Sequence, residues 1–157
     1  MIDYEELSLN AWPSIKTVHH KGCIYRYSHG YTKRANSGNP LYIKNQDITD
    51  IISYGEIFYQ KLDSPCVFKI LDNEKYNKLD KILEEKKYGK AAVTKVMKYD
   101  LNHFHEDIEG RITIENVFSN NWFHSFTKLN AIDKKNEKTA WQMLNLITAD
   151  ILAATIK

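Results

Sequence analysis

Closely spaced glycines are missing from this sequence. The six glycines are all at least eight positions apart, so no G-x-G turn occurs anywhere in the 157 residues. Such a turn lets successive backbone N–H groups approach a pyrophosphate, because glycine has no Cβ and readily adopts the required dihedral angles. The sequence therefore excludes the usual glycine-rich loop for a nucleotide diphosphate.

Net charge, long apolar runs and cysteines are also scarce. The net charge is only +2 with 27% charged residues, which gives no electrostatic footprint for nucleic acid. No apolar run approaches the length of a membrane span, and the acidic first residues are unlike a signal peptide. The two cysteines, Cys23 and Cys66, are too few for a disulfide scaffold, which favours buried free thiols in a reducing compartment. We expect a cytoplasmic protein that binds neither nucleic acid nor membranes.

Helical and alternating hydrophobic patterns are mixed along the chain, whose length fits one compact domain. The pattern predicts an α/β protein of the α+β kind, with a mixed, mostly antiparallel sheet flanked by helices. The strands at 15–20 and 23–27 are expected to form a hairpin around Lys21 and Gly22. The other predicted strands are 42–44, 66–71, 91–99 and 111–118, and the predicted helices are 4–11, about 50–64, about 73–87, 120–129 and 136–156.

The chain is predicted to end in a long apolar helix. A charged run at 133–138 reads as an exposed linker before it. We therefore divide the chain into an α/β domain at 1–132 and a linker with a C-terminal helix at 133–157. That helix carries too much apolar surface to stay free, so it either packs on the domain or leads to an absent domain. Its apolar positions are Trp141, Leu144, Ile147, Ile151 and Leu152.

The segment at 30–41 is too irregular to be explained by core packing. It combines two glycines, a proline and two cations between strand-like segments, which indicates a loop with defined turns and side chains free to contact a ligand. Arg34 in this loop and Arg26 on the preceding strand are well placed to meet an anion, since the guanidinium fork suits carboxylate or phosphate. Pairing with an internal Asp or Glu is the alternative for both.

Several motifs occur in a fixed order through the first half of the chain. They are N-A-W-P at 10–13, G-C-I-Y-R at 22–26, G-Y-T-K-R-A-N-S at 30–37, E-x-F-Y at 56–59 and P-C-V-F at 65–68. This order resembles the N-terminal half of two-domain N-acetyltransferases of the GNAT superfamily. After Tyr88 the resemblance is limited to the order of the predicted helices and strands. One position in the first half also departs from the family pattern, because Cys23 stands where that family usually has tryptophan.

The resemblance implies a GNAT-like fold and the transfer of acetyl from acetyl-CoA to an amine. In the resembling proteins the pyrophosphate loop lies in a second domain, so this chain would be the substrate-side part and not competent alone. No cofactor is expected in this chain, acetyl-CoA is implied for the longer protein, and a C-terminal GNAT domain is the expected partner. The residues expected to contact the amine substrate are Trp12, Arg34, Asn36 and Ser37.

A second hypothesis is a non-catalytic GNAT-like module for interaction or dimerisation. In that case the apolar C-terminal helix would pair with another copy of the chain or with a different chain. Neither hypothesis identifies the acceptor amine or a catalytic residue.

Other chemistry is weakly indicated. His103 and His105, followed by two acidic residues, could chelate zinc, but an exposed hairpin loop explains them and no cysteine lies nearby, so no metal site is predicted. A cysteine nucleophile would need a positioned histidine base, and packed thiols are favoured for both cysteines. Trp122 and Trp141 are expected to be packing anchors.

Overall fold

The computed structural model describes residues 4–100, 102 and 112–156. These residues form five α-helices and five short strands, and the strands make two antiparallel sheets. The protein is therefore of the expected mixed α/β class. The helices are α1 (Tyr4–Ala11), α2 (Ile48–Gln60), α3 (Asn77–Glu85), α4 (Asn120–Leu129) and α5 (Lys134–Leu144), and the strands are β1 (Lys16–His20), β2 (Cys23–Tyr27), β3 (Gly38–Pro40), β4 (Ile112–Glu115) and β5 (Ala153–Ile156). In this part of the chain no helix combines the length and apolar character needed to cross a bilayer.

The predicted hairpin is confirmed, and its turn packs tightly. Strands β1 and β2 pair from Lys16 with Tyr27 to His20 with Cys23. Lys21 and Gly22 have φ angles of 46° and 79°, as a two-residue hairpin turn requires when its twist matches the strands. The Gly22 carbonyl accepts the N–H groups of the next segment, at residues 41 and 42. This turn therefore anchors a second stretch of backbone.

The third strand lies earlier than predicted. The expected strand at 42–44 is wrong, because β2 pairs instead with β3, from Tyr25 opposite Gly38 to Cys23 opposite Pro40. Gly38 also bridges Phe68 in parallel, and the predicted strand at 66–71 is reduced to this single bridge. A Cβ at Gly38 would lie 3.0 Å from the Phe68 ring, so the absence of a side chain is what lets that ring approach.

Helices α2 and α3 cover the first sheet and complete its core. Both helices were predicted, and they bury one face each. The Tyr25 hydroxyl donates to the Ile51 carbonyl at 2.6 Å, and the Tyr59 hydroxyl donates to the Arg26 carbonyl at 2.9 Å. The core thus ties α2 to β2. Its buried members are Cys23, Tyr25, Ile43, Ile48, Ile51, Ile52, Tyr59, Tyr76, Leu79 and Leu83.

The second half of the chain departs from three predictions. Residues 134–138 form the first part of α5, where a linker was expected at 133–138. Residues 91–99 form no strand, and Val93 and Met97 are 90% and 87% exposed. The predicted helix at 136–156 is also wrong, because α5 ends at Leu144 and residues 153–156 form β5 with β4. Asn145 follows the last helical residue, and its side-chain amide and its backbone N–H both donate to the Trp141 carbonyl.

An aromatic cluster holds the second half together. Trp122 stacks on Phe126 with 5.1 Å between ring centroids, and Phe123 lies 4.7 Å from Trp141. The Trp122 indole N–H donates to the Ala154 carbonyl at 3.3 Å. These contacts join α4, α5 and β5, and so link residues on both sides of the boundary expected at 132. Both tryptophans are packing anchors, as predicted.

Candidate functional site

Arg26 joins three separate segments through its buried guanidinium. Proline at position 13 follows the end of α1, and the last carbonyls of a helix lack partners within the helix. Arg26 supplies donors to them: Nη2 binds the carbonyls of Leu9, at 3.4 Å, and of Trp12. Its Nη1 donates to the Arg34 carbonyl at 2.9 Å, and its Nε donates to Ser14 Oγ at 3.4 Å. We call these five residues the Arg26 network.

An aromatic and cationic surface lies beside this network. The Trp12 indole N–H donates to Thr32 Oγ1 at 3.1 Å, which fixes the ring against the loop. The Arg34 guanidinium lies 5.5 Å from the centre of that ring, and the Tyr31 ring is 6.3 Å away. A cation over an indole face is a favourable arrangement. Arg34 is exposed while Trp12 and Tyr31 are half-buried, and we call these three residues the Trp12–Arg34 surface.

Asn36 and Ser37 lie behind that surface, inside the loop. Asn36 Oδ1 accepts the backbone N–H groups of Ser28 and Gly30 at 2.7 and 3.0 Å, and its Nδ2 donates to the Thr32 carbonyl at 2.8 Å. Ser37 is 1% exposed, and its hydroxyl donates to the Arg34 carbonyl at 3.4 Å. The expectation of free side chains is therefore wrong for residues 35–41, which are all buried.

The structure thus separates the four residues expected to contact substrate. Trp12 and Arg34 come together on one accessible surface, although 22 positions separate them. Asn36 and Ser37 hold the same loop from within. Tyr31 is a member of the surface that the sequence did not single out. Its position directly after Gly30 in the motif at 30–37 was the available signal.

Two arginines lie close to one another in this region. Burial lowers the pKa of Arg26 to about 10, and the nearby positive charge of Arg34 acts in the same direction. Arg26 therefore stays charged at neutral pH while only 4% of it is exposed. Across the described residues, the ion pairs formed by carboxylates involve other cations and neither of these two arginines. The alternative that Arg26 and Arg34 pair with an internal Asp or Glu is therefore not seen among the described residues.

The two cysteines are packed thiols in which burial outweighs the groups that favour the thiolate. Cys23 is fully buried and Cys66 half-buried, and both are free. Burial raises the pKa of the Cys23 thiol to about 12 and also raises that of Cys66. Since the thiolate is the nucleophile, neither is poised for attack near neutral pH. Cys66 also lines an open cleft of about 560 Å³ with Glu56 and Asp63, which shares no residue with the Trp12–Arg34 surface.

Histidines do not form a metal centre in the part of the chain that is described. His20 Nε2 lies 2.8 Å from an Asp50 carboxylate oxygen, and its ring stacks on Tyr54. No group of three potential ligands occurs among the described side chains. His103 and His105, the pair considered for zinc, lie outside the described residues.

No family model, characterised protein or solved structure matches this chain. The resemblance to GNAT enzymes therefore stays a prediction from the sequence motifs. What the structure adds is the place where the motif residues meet.

Proposed function

We propose that this chain is the substrate-side domain of a GNAT-like N-acetyltransferase, which transfers acetyl from acetyl-CoA to an amine. The supporting observation is the convergence of the motif segments. Residues 10–13, Arg26 and residues 30–37 are distant in sequence, yet hydrogen bonds from Arg26 and Trp12 join all three. If the motifs resembled the GNAT pattern only by chance, nothing would require their residues to be joined by hydrogen bonds. Their contact therefore supports the resemblance.

The role proposed for the chain is to orient the amine. Trp12, Tyr31 and Arg34 would form one wall of the cleft, and fixing the acceptor in a reactive geometry is a large part of catalysis in a two-substrate reaction. Asn36 and Ser37 support this wall by holding the loop. The GNAT-like fold belongs to the same proposal.

Two places in the backbone that could have held the pyrophosphate of acetyl-CoA are closed. The amide pair of Ser28 and Gly30, which could face an anion, is filled by Asn36 Oδ1. The backbone at Gly22 is closed by Tyr42, whose carbonyl oxygen would lie 2.4 Å from an added Cβ. The cofactor is therefore assigned to a second, C-terminal GNAT domain.

Acetyl-CoA is expected not to bind this chain alone. A ligand at a hundred times its dissociation constant adds about 2.7 kcal/mol to the stability of a protein that binds it, so thermal unfolding would detect it. We expect no change in the melting temperature of this chain with acetyl-CoA. We further expect activity when the chain replaces the first domain of a two-domain GNAT enzyme that carries the same N-A-W-P and R-A-N-S motifs, measured as CoA thiol released with an amine.

The control for this chimera is the second domain of that enzyme alone. Activity about tenfold above the isolated domain, and lowered again by Trp12→Ala, would support the substrate-side role. A chimera no faster than the isolated domain would refute it. A clear thermal shift of this chain with acetyl-CoA would refute the assignment of the cofactor to another domain.

The alternative function is self-association without catalysis, and one observation favours it. The second sheet exposes Ile114 and Ile156, at 61% and 67%, together with Leu152 beside it at 77%. We expect a concentration-dependent increase in sedimentation coefficient if this face pairs two copies. Ile114→Lys should abolish the increase because it charges that face, whereas Thr113→Lys, on the opposite face of β4, should not. A strict monomer at high concentration would exclude this alternative.

A further inference from the structure

Two guanidinium groups that pair with no described carboxylate meet at the Trp12–Arg34 surface. Arg26 is 4% exposed and donates only to carbonyl and hydroxyl oxygens. Arg34 is exposed next to it, and the two like charges are close enough for Arg34 to disfavour the charged form of Arg26. An anion placed here would offset that repulsion. No described carboxylate does so.

The exposed guanidinium is held in position before any ligand binds. The Arg34 carbonyl is tied by Arg26 Nη1 at 2.9 Å and by Ser37 Oγ at 3.4 Å. Its side chain lies over the Trp12 ring, and the Trp12 indole N–H is bonded to Thr32. A planar fork that is already oriented loses less conformational entropy when it binds. The surface also offers aromatic area for the apolar part of a ligand.

The hydrogen-bond donors of the Arg34 guanidinium suit a carboxylate better than a phosphate. Phosphate sites usually use several backbone N–H groups, at a helix N-terminus or in a nest of amides. The amide pair available in this loop, from Ser28 and Gly30, is occupied by Asn36 Oδ1. One guanidinium fork matches the two oxygens of a carboxylate by paired hydrogen bonds.

We propose that Arg34, supported on Trp12 and anchored through Arg26, binds the carboxylate of the acceptor, so that the substrate is an amine that also carries a carboxylate, such as an amino acid or a peptide. The description of that ligand as an acceptor rests on the proposed acetyltransferase function. The carboxylate site itself does not.

Titration of the whole chain with benzoate, followed by the indole N–H signal of Trp12 in ¹⁵N NMR spectra, tests this site. Benzoate should shift that signal in a saturable way, while the signals of Trp122 and Trp141 stay unchanged. Arg34→Gln should weaken binding about tenfold, because a charge-assisted bidentate contact is lost. Arg34→Lys should also weaken it, since lysine keeps the charge without the fork. Lys33→Gln, which removes the neighbouring exposed cation, should change the affinity less than about twofold.

Benzamide and inorganic phosphate complete the test. The neutral benzamide should bind at least about tenfold more weakly than benzoate, and phosphate should also bind more weakly than benzoate. Equal binding of benzamide, tighter binding of phosphate, or unchanged binding of benzoate to Arg34→Gln would each overturn the proposal. The titration needs no acetyl-CoA and no second domain. A failed chimera with intact benzoate binding would therefore refute only the acetyltransferase function, and the opposite pair of results would refute only the carboxylate site.

Discussion

Replacement of Arg26 by methionine is expected to lower the free energy of unfolding by about 3 kcal/mol. Methionine keeps the apolar stem of the side chain but removes the donors to the Leu9, Trp12 and Arg34 carbonyls. A buried acceptor left without a partner costs about 1–3 kcal/mol. Removal of the desolvated charge offsets part of this loss. Urea unfolding followed by far-UV circular dichroism would measure the result.

Two variants control this experiment. Lys33→Met changes an exposed cation in the short 3-10 helix that also contains Arg34, and it should alter stability by less than about 0.5 kcal/mol. Arg26→Lys should fall between wild type and Arg26→Met, because one ammonium cannot reach all the acceptors that the planar guanidinium joins. A loss below about 1 kcal/mol in Arg26→Met would show that the network does not hold the three segments together.

Gly22→Ala is expected to destabilise the chain by a similar amount, about 3 kcal/mol. Gly22 has a φ of 79°, and an added Cβ would lie 2.4 Å from the Tyr42 carbonyl oxygen and 2.5 Å from its carbon. Those atoms are backbone, so they cannot yield by rotation of a side chain. The Gly22 carbonyl also accepts the N–H groups of Leu41 and Tyr42 at 3.1 and 2.9 Å. The substitution therefore strains the turn and displaces the segment bonded to it.

Gly30→Ala is the matched control for Gly22→Ala. Gly30 has a φ of 75°, almost that of Gly22, but nothing lies within 4 Å of an added Cβ. It should cost only the backbone strain of about 1 kcal/mol. Guanidinium chloride unfolding of both variants would isolate the steric part as their difference. Equal losses would mean that the close approach to Tyr42 contributes nothing.

The hairpin and the two helices of the first half were predictable from the sequence because their signals are local. Lys21 and Gly22 mark a hairpin turn, and α2 and α3 show the spacing of one buried face. Strand β3 was missed because Gly38 and Pro40 carry no hydrophobic pattern. Its place is set by partners that are distant in sequence, Tyr25 on one side and Phe68 on the other.

The second half shows where hydrophobic periodicity misleads. The side-chain pattern of residues 91–99 favours a strand. A strand forms only where a neighbouring strand is available to pair with it, so the pattern alone is not enough. The spacing of Ile147 and Ile151 suggested that the last helix continues. The helix ends before Asn145 instead, and the Asn145 side chain donates to the Trp141 carbonyl, as asparagine side chains often do with nearby backbone groups.

The candidate site was predicted in part. Trp12 and Arg34 were named from their motifs, and the structure brings them into contact. Asn36 and Ser37 were named for the same reason, but polar residues in a loop can serve the loop itself, and burial decides which role they have. That Arg26 pairs with no described carboxylate could not be read from the sequence, since the chain has 20 acidic residues.

Asn36 holds the backbone of the loop that carries Arg34 in one conformation. Its amide closes the loop on itself through three short contacts, so a ligand bound at the proposed carboxylate site would meet a surface that is already shaped. Binding to such a preorganised surface would need little conformational change. A ligand whose shape does not match would be bound weakly, because the loop would not rearrange to fit it.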